Sequence, residues 1–263
     1  MPYFKYKGIP FSTEFFSEET LSYVENDFQL LDDDIVNATY PKLLSTHLPF
    51  QLFPKSFLHS KAKVVYTLRN PRETMVSSYH FFKGFKELKD PGTVEEFMER
   101  YLSGEIDYGS WFEHVKGWVE MKENYSRCLL DPVLAEGQVE TEWPLHCDSS
   151  KFHILRASIL PNAHCILDLR GSVQKICHFL GKELNSQQIE SVVENASFQK
   201  MKDNKMSTSS TIPENIFDHT KARLMRKGIS GDWKNLLTVA QSERFDRVYW
   251  ENMRGVNMTF PWD

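Results

Sequence analysis

The stretch KVVYTLRNPRE, residues 63–73, decides the fold class of this chain. It begins with β-branched and aromatic residues, the composition of a buried strand. Asn70 then suits a helix N-cap, Pro71 suits the first helical position, and Glu73 at the third can bond back to the cap. We therefore predict a strand over residues 63–69 that runs directly into a helix, which is the building unit of an α/β domain.

A second strand is predicted over residues 34–40, and its connection to the first is short. Parallel neighbours need a crossover of about a dozen or more residues, usually containing a helix. Only residues 41–62 are available, and PFQLFPKSFLHS within them is a poor helix sequence. The predicted fold is α/β, a P-loop-like parallel sheet flanked by helices, with part of the first crossover missing.

Capping residues and apolar spacing predict where the other helices lie. These helices are expected after Ser17, after Thr93, after Gly109, from Ser172 to Leu180 with Gly181 as C-cap, from Ser186 to Val193, and around Phe245 to Tyr249. Residues 124–167 show neither a sustained period nor clear caps. We expect one domain over residues 1–263, in which 124–167 is an atypical segment.

Charge and hydropathy argue against several classes of function. The formal net charge is -5, so no general surface for nucleic acid is expected. A run of about 18 apolar residues and an apolar signal core are both absent, which predicts a cytoplasmic protein without a membrane span. The dipeptides His146-Cys147 and His164-Cys165 are better explained by chance than by zinc, because zinc ligands usually have another spacing.

The first basic segment follows the strand over residues 63–69. Arg69 ends the strand, Arg72 begins the next helix, and Ser77 lies two turns into it. A strand end, a helix N-terminus and arginines together suit a phosphate dianion. A surface ion pair between Arg72 and Glu73 or another neighbour explains these residues about equally well.

The second basic segment, RKGISGDWKN at residues 226–235, is a stronger candidate. Arg226 and Lys227 precede Gly228, where the missing side chain lets a ligand approach the backbone closely. The alternative is a basic loop packed on a buried tryptophan. Two glycines within four residues favour the ligand site.

Lys42 and His47 lie close together in the sequence, after the strand over residues 34–40. A lysine at a strand end can contact an anion, and a histidine near it can act as a general base near neutral pH. Taken alone, His47 is better explained as a hydrogen-bonded structural histidine.

Together and in this order, these segments resemble the cytosolic sulfotransferases, most closely their hydroxysteroid branch. The matching text includes TYPK (39–42), LLSTHLPFQLFPKSF (43–57), SKAKVVYTLRNPRETMVSSYHF (60–81), ASFQKMKDNKMS (196–207) and RKGISGDWKNLLTVAQSERFD (226–246). The resemblance covers roughly four-fifths of the chain. The RKGxxGDWK segment and the strand followed by Arg-Asn-Pro-Arg are highly specific in combination.

The resemblance implies transfer of a sulfonate group from 3′-phosphoadenosine-5′-phosphosulfate (PAPS) to the hydroxyl of a steroid or other hydrophobic alcohol, without a metal. His47 matches the family's catalytic base, and Lys42 matches the lysine that stabilises charge on the leaving phosphate. The residues that match the donor site are Arg69, Ser77, Phe198, Met225, Arg226, Lys227 and Gly228. Among these, the arginines, Ser77 and Lys227 would bind the 3′-phosphate, and Phe198 would stack on the adenine.

The chain departs from the family pattern in two places. In the family, Tyr-Pro-Lys is followed by Ser-Gly-Thr, a tryptophan, a helix and several dozen more residues, whereas here Leu43 follows Lys42 at once. The family's Tyr-Glu-Glu-Leu segment is replaced by unrelated sequence within residues 124–167. Such abrupt edges suggest a splice variant or a faulty gene model, a hypothesis that a continuous transcript across both places would remove.

These departures leave a second function open, that of a catalytically impaired relative that only binds a ligand or dimerises. Binding of the product nucleotide would distinguish the two, and the acceptor's identity is not determined by the sequence. The segment KNLLTVAQSE resembles the family's small dimer contact, which implies a weak homodimer through Lys234, Thr238, Val239 and Glu243. A solvated helix start with Thr238 as its cap explains the same residues.

Overall fold

The structure is a computed structural model, and the description covers residues 3–13, 15–31, 35–39, 46–86, 90–124, 128–132, 168–203, 212, 214–223, 226–260 and 262. Its strands are β1 (Tyr3–Tyr6), β2 (Ile9–Ser12), β3 (Ile35–Thr39), β4 (Lys63–Leu68) and β5 (Cys128–Pro132). Its helices are α1 (Glu18–Asn26), α2 (Pro71–Phe82), α3 (Val94–Ser103), α4 (Trp111–Asn124), α5 (Leu169–Leu180), α6 (Ser186–Ala196), α7 (Phe198–Asp203) and α8 (Val239–Met253). Within this part of the chain, none of the helices is both long and apolar enough to cross a membrane.

Strands β3, β4 and β5 form a parallel sheet with β4 in the centre, while β1 and β2 form a separate antiparallel hairpin. In the sheet, Ile35 lies opposite Lys63 and Val64 opposite Cys128. The two strands predicted from the sequence and the α/β class are therefore confirmed. Cys128–Pro132, which lies within the segment 124–167, is a strand of the sheet, and the extent of the atypical segment stays a prediction. Such a short strand is stabilised by hydrogen bonds to its neighbour and needs no period of its own.

The connection from β3 to β4 contains no α-helix over residues 46–62, as the sequence predicted. Two short 3-10 segments, Phe50–Leu52 and Lys55–His59, occupy this part of it. Pro49 and Pro54 precede them at the N-cap positions. Prolines at this spacing are incompatible with a longer helix, because each lacks the N–H that a helix interior requires.

Residues of β4 alternate between two apolar clusters, as the period of a strand requires. Val64, Tyr66 and Leu68 face the main core, which also contains residues of α2, α3, α4 and α8. Val65 faces the opposite side, where it packs with Ile176 and other residues of α5. Both faces of β4 are therefore covered by helices, although the described part of the first crossover supplies none.

Helix α2 begins as the sequence predicted, except for the role of Glu73. The Asn70 side chain accepts a hydrogen bond from the Arg72 N–H at 2.9 Å, and Pro71 is the first helical residue. Glu73 does not bond back to the cap. Its carboxylate instead accepts hydrogen bonds from Arg69 and from the segment at residues 230–231. A guanidinium close by in the folded protein competes successfully with the local cap, because hydrogen bonds between charged groups are the stronger ones.

The remaining helices begin and end at the predicted kinds of residue. Thr93 and Thr238 form capping boxes at the starts of α3 and α8. Helix α5 ends at Gly181, whose φ of 67° is the left-handed conformation that glycine adopts most readily. Helix α5 starts at Leu169, three residues before the predicted Ser172, because the Asp168 side chain caps it.

Candidate active site

The buried carboxylate of Glu73 connects the end of β4 to a distant loop. Its Oε2 accepts hydrogen bonds from Arg69, at 3.3 Å from Nε and 3.2 Å from Nη2. Its Oε1 accepts one from the Ser230 hydroxyl at 2.8 Å and another from the Gly231 backbone N–H. The two basic segments found in the sequence are thus joined through one acid, which sequence reasoning had assigned to a helix cap.

The cations of the second segment share a carboxylate partner. Arg226 Nη2 and Lys227 Nζ donate to the two oxygens of Asp232, at 2.5 and 2.6 Å. Burial raises the pKa of Asp232, but the hydrogen bonds from Lys227 and Arg226 outweigh it and hold that pKa below its usual value. Asp232 is therefore ionised at neutral pH, and it orients both cations.

Gly228 and Phe198 lie in direct contact. A Cβ added to Gly228 would come within 2.2 Å of the Phe198 ring, which is too close for any side chain. Gly228 also has a φ of +66°, a conformation that other residues seldom adopt. Glycine is required here for both reasons, and the contact places an aromatic ring beside Arg226 and Lys227.

Ser77 lies on α2 three residues before His80, so the two side chains share a helix face. Burial, together with the positive charges of Arg226 and Lys83, lowers the pKa of His80 to about 4. The influence of Arg226 indicates that this face of α2 is directed towards the loop at 226–232. His80 is neutral at pH 7, and nothing in the sequence had singled it out.

Arg72 has a structural role. Its guanidinium forms an ion pair with Asp246. It also lies over the rings of Trp233 and Phe245, at 4.9 and 5.3 Å from their centroids. The ion-pair explanation of Arg72 is therefore the better one, but its partner is Asp246, because Glu73 pairs with Arg69.

His47 lies beside a cluster of aromatic rings formed near the N-terminal hairpin. Its ring is 5.3 Å from that of Tyr108, edge to face at 76°. Tyr108 in turn packs edge-on against Phe11 and Phe16, at 6.0 and 5.7 Å. A histidine next to apolar rings suits an acceptor that is largely hydrophobic.

Tyr108 is a candidate site residue that the sequence reasoning missed. Its φ is +68°, which is uncommon for a residue with a bulky side chain. Strained backbone of this kind is concentrated at functional sites, and here it holds the ring that contacts His47. The sequence signal for this conformation is the glycine that follows Tyr108 just before α4, because glycine favours tight turns. In the structure Gly109 also has a positive φ, of 78°.

Several predicted residues cannot be compared with this geometry. Lys42 and Met225 lie outside the described residues.

Thr238 is the N-cap of α8, with its hydroxyl accepting a hydrogen bond from the Gln241 N–H at 3.2 Å. Val239 is 76% exposed, so it is accessible to a partner. Among the residues that the structure describes, no group of His, Cys, Asp or Glu is arranged to hold a metal ion.

Comparison with known proteins gives one family, several relatives and several solved structures. The profile of the family described as "Sulfotransferase domain" matches residues 7–131 and 161–257. The mouse protein "Sulfotransferase 2B1" is 38% identical, over 99% of this chain and 83% of its own length. "3-alpha-hydroxysteroid sulfotransferase" of Cavia porcellus is 34% identical, over 95% of this chain and 94% of its own. A crystal structure of mouse sulfotransferase SULT7A1 complexed with PAP has a TM-score of 0.73 at 26% identity and covers 96% of this chain and 94% of that one.

The same comparisons show where the chain departs from these proteins. The family profile leaves residues 132–160 unmatched, and these residues lie within the segment 124–167 that the sequence analysis describes as atypical. The alignment with the mouse relative extends over 311 positions, at least 48 more than this chain has residues. The relative therefore contains sequence that this chain lacks.

Proposed function

Because the chain belongs to the sulfotransferase domain family, we propose that it transfers a sulfonate group from PAPS to the hydroxyl of a hydrophobic alcohol of the steroid type. The observation that carries this proposal is the junction at Glu73, which joins the strand-end Arg69 to the loop of Arg226, Lys227 and Gly228. The steroid-like acceptor is suggested by the name of the guinea-pig relative and by the aromatic rings beside His47.

The donor suits this junction by charge and by shape. Arg69, Arg226 and Lys227 provide positive charge for the 3′-phosphate, and Ser77 adds a hydroxyl from the adjoining face of α2. Phe198 provides an aromatic face for the adenine, and Gly228, which has no side chain, lets that ring pack directly on the backbone. Charge-assisted hydrogen bonds of this kind are each worth about 1.5–3 kcal/mol. Asp232 and Glu73 would hold the cations in place before the nucleotide binds.

His47 would act as the general base of the reaction. The alcohol oxygen attacks the sulfur of PAPS, its proton passes to His47, and the bond from sulfur to the bridging oxygen breaks. The sulfate ester and 3′-phosphoadenosine-5′-phosphate (PAP) are the products. Lys42 would stabilise the negative charge that develops on the leaving phosphate.

Further proposals concern the whole chain. Residues 1–263 would form one domain, located in the cytoplasm. A weak homodimer would form through Thr238 and the exposed Val239, with Lys234 and Glu243 pairing across a two-fold axis. The motif and the exposure of Val239 support this contact, and the dimer prediction is tested separately below.

The role of His47 can be tested with radiolabelled PAPS and a steroid alcohol such as a 3-hydroxysteroid. The His47→Ala variant should lose on the order of 10²–10⁴ of the turnover, the usual share of a general base. PAP binding should hardly change. His59→Ala is a matched control, because His59 is an exposed histidine of the 3-10 segment Lys55–His59. Equal turnover by His47→Ala and wild type would assign His47 a structural role.

A further inference from the structure

A second histidine connects the backbone of His47 to the centre of the sheet. His114 lies on α4 and is 1% exposed. Its Nε2 is 3.1 Å from the backbone oxygen of His47, and its Nδ1 is 3.0 Å from the hydroxyl of Tyr66 on β4. His114 therefore contacts the segment that carries the proposed base without itself facing the acceptor.

The chemistry of these contacts selects one tautomer of His114. A backbone carbonyl oxygen can only accept a hydrogen bond, so Nε2 of His114 must carry the hydrogen. Burial lowers the pKa of His114 to about 3, which keeps the ring neutral. Nδ1 then has a free electron pair and accepts a hydrogen bond from the Tyr66 hydroxyl. Tyr66 thus donates a hydrogen bond to His114, and His114 donates one to the backbone oxygen of His47.

Tyr66 and His114 are held rigidly. Tyr66 is fully buried and stacks on Trp118, with ring centroids 5.2 Å apart and planes at 16°. It also stacks on His114 itself, at 5.7 Å and 28°. His47, by contrast, begins residues 47–49, which form neither helix nor strand and follow a β-bridge at Thr46. His114 consequently transfers the fixed geometry of the core to an irregular segment.

We propose that His114 is a positioning residue, which holds the backbone of His47 so that the imidazole of His47 meets the acceptor hydroxyl in the correct orientation. The inference rests on the proposed role of His47 as the base. Its physical reason is that a displacement of about 1 Å at a reacting group can reduce a rate roughly 10²-fold. The ring of Tyr108 contacts the ring of the same histidine.

Two substitutions separate the hydrogen bond to His47 from the rest of the His114 environment. In His114→Gln the amide nitrogen lies near the position of Nε2, so it can still donate to the His47 oxygen. In His114→Asn the amide lies near Nδ1, so it can meet Tyr66 but cannot reach His47. We expect His114→Asn to lower kcat about 10–100-fold with little change in KM for the alcohol, and His114→Gln to stay within about threefold of wild type.

Amide hydrogen exchange gives a readout that does not depend on turnover. Exchange at residues 46–48 should accelerate at least tenfold in His114→Asn and remain near the wild-type rate in His114→Gln. Tyr66→Phe, a milder change, should accelerate the same amides. Tyr79→Phe is its matched control, because the Tyr79 hydroxyl likewise makes a hydrogen bond, to the backbone oxygen of Gly92 at 3.2 Å, but on another part of the fold.

The outcomes distinguish the two proposals. Unchanged exchange at 46–48 in both His114→Asn and Tyr66→Phe would overturn the positioning role, whatever the activity. If the amides of residues 46–48 exchange rapidly in the wild-type protein, and that protein also shows no turnover, both proposals are contradicted. Protected amides in wild type, their loss in His114→Asn and an absence of turnover would support the positioning contact and count against the proposed function alone. If His114→Asn fails to fold, Tyr66→Phe against Tyr79→Phe decides the question.

Discussion

Two regions of this molecule differ in what they retain from the family. Around Glu73, the predicted donor residues Arg69, Phe198, Arg226, Lys227 and Gly228 lie on elements joined by direct contacts. After Lys42, the family resemblance predicts a loop and a helix that do not follow in this sequence, and the alignment with the mouse relative is at least 48 positions longer than the chain. The residues that bind the 3′-phosphate and those that bind the 5′ end of one nucleotide can therefore come from different parts of a sequence, and one set can be lost without the other.

The Glu73 region is stabilised by interactions of its own. Glu73 joins β4 and α2 to the segment at 230–231, Asp232 fixes two cations, and Phe198 packs on Gly228. These contacts involve residues that are far apart in sequence but belong to segments that match the family. We therefore expect recognition of a 3′-phosphate to survive, and recognition of the 5′ end to be weak.

The largest expected effect comes from restoring the loop. Insertion of a Ser-Gly-Thr-Thr-Trp loop and a following helix after Lys42 should add three or more contacts to PAP. At about 1–2 kcal/mol each these sum to roughly 4 kcal/mol, which is about a thousandfold in affinity. Calorimetric titration with PAP measures the gain.

An insertion of equal length made of Gly and Ser is the control for this experiment. It should leave the affinity for PAP unchanged. A restored loop that gains no more than this control would shift the cause of weak binding to the unmatched residues 132–160.

Removal of the charge on Glu73 should have the next largest effect. Glu73→Gln leaves Arg69 without its buried counter-ion, which should lower the free energy of unfolding by about 3 kcal/mol, measured by urea denaturation. Glu99→Gln, which breaks the more exposed ion pair with Arg244, should change stability little. Equal effects of the two substitutions would show that Glu73 does not hold the region together.

The neutral state of His114 predicts a smaller, pH-dependent effect. Its folded pKa lies below the unfolded value, so the unfolded chain binds an extra proton as the pH falls below about 6.5 and stability decreases. Between pH 7 and pH 5 this single group should cost about 2 kcal/mol.

The contribution of His114 is measured by difference. The free energy of unfolding of wild type and of His114→Gln is measured by urea denaturation. The difference between the two proteins should change by about 2 kcal/mol between pH 7 and pH 5. His80 titrates in the same direction, but it is present in both proteins and cancels. A difference that does not vary with pH would mean that the pKa of His114 in the folded protein is close to its unfolded value.

The smallest expected effect concerns association. Val239→Glu places a charge at the proposed two-fold contact, so light scattering should show the mass of a monomer where wild type shows a weak dimer. Glu251→Lys, at the opposite end of α8, is a control that should leave the mass unchanged. The same mass for Val239→Glu and wild type would support the solvated helix start, in which Thr238 serves only as a cap.

Much of the fold could be predicted because local rules operate within short segments. The β-branched run before Asn70, the cap at Asn70 and the glycine after Leu180 each specify their element through neighbours in sequence. Strand β5 could not be found in this way, since its five residues gain their stability by pairing with β4.

The sequence predicts individual residues of the candidate site, but it does not predict the contacts between them. Arg69 and the segment at 226–228 were recognised through the specific motif that contains them. The roles of Glu73, His114 and Tyr108 depend on tertiary contacts that no spacing in the sequence reveals. From neighbouring residues alone, Glu73 is expected to cap the nearest helix end. Its actual partners include residues 230–231, which lie more than 150 positions away in the sequence.

We propose that this chain retains the 3′-phosphate end of the donor site and lacks the 5′ end. Calorimetric titration of the purified protein with PAP, adenosine 3′-monophosphate and adenosine 5′-monophosphate tests it directly. We predict that PAP and the 3′-monophosphate bind with similar affinity, each at least about tenfold tighter than the 5′-monophosphate, since one charge-assisted contact is worth about 1.5–3 kcal/mol. Micromolar or tighter binding of PAP that is lost when the 5′-phosphate is removed would contradict the account.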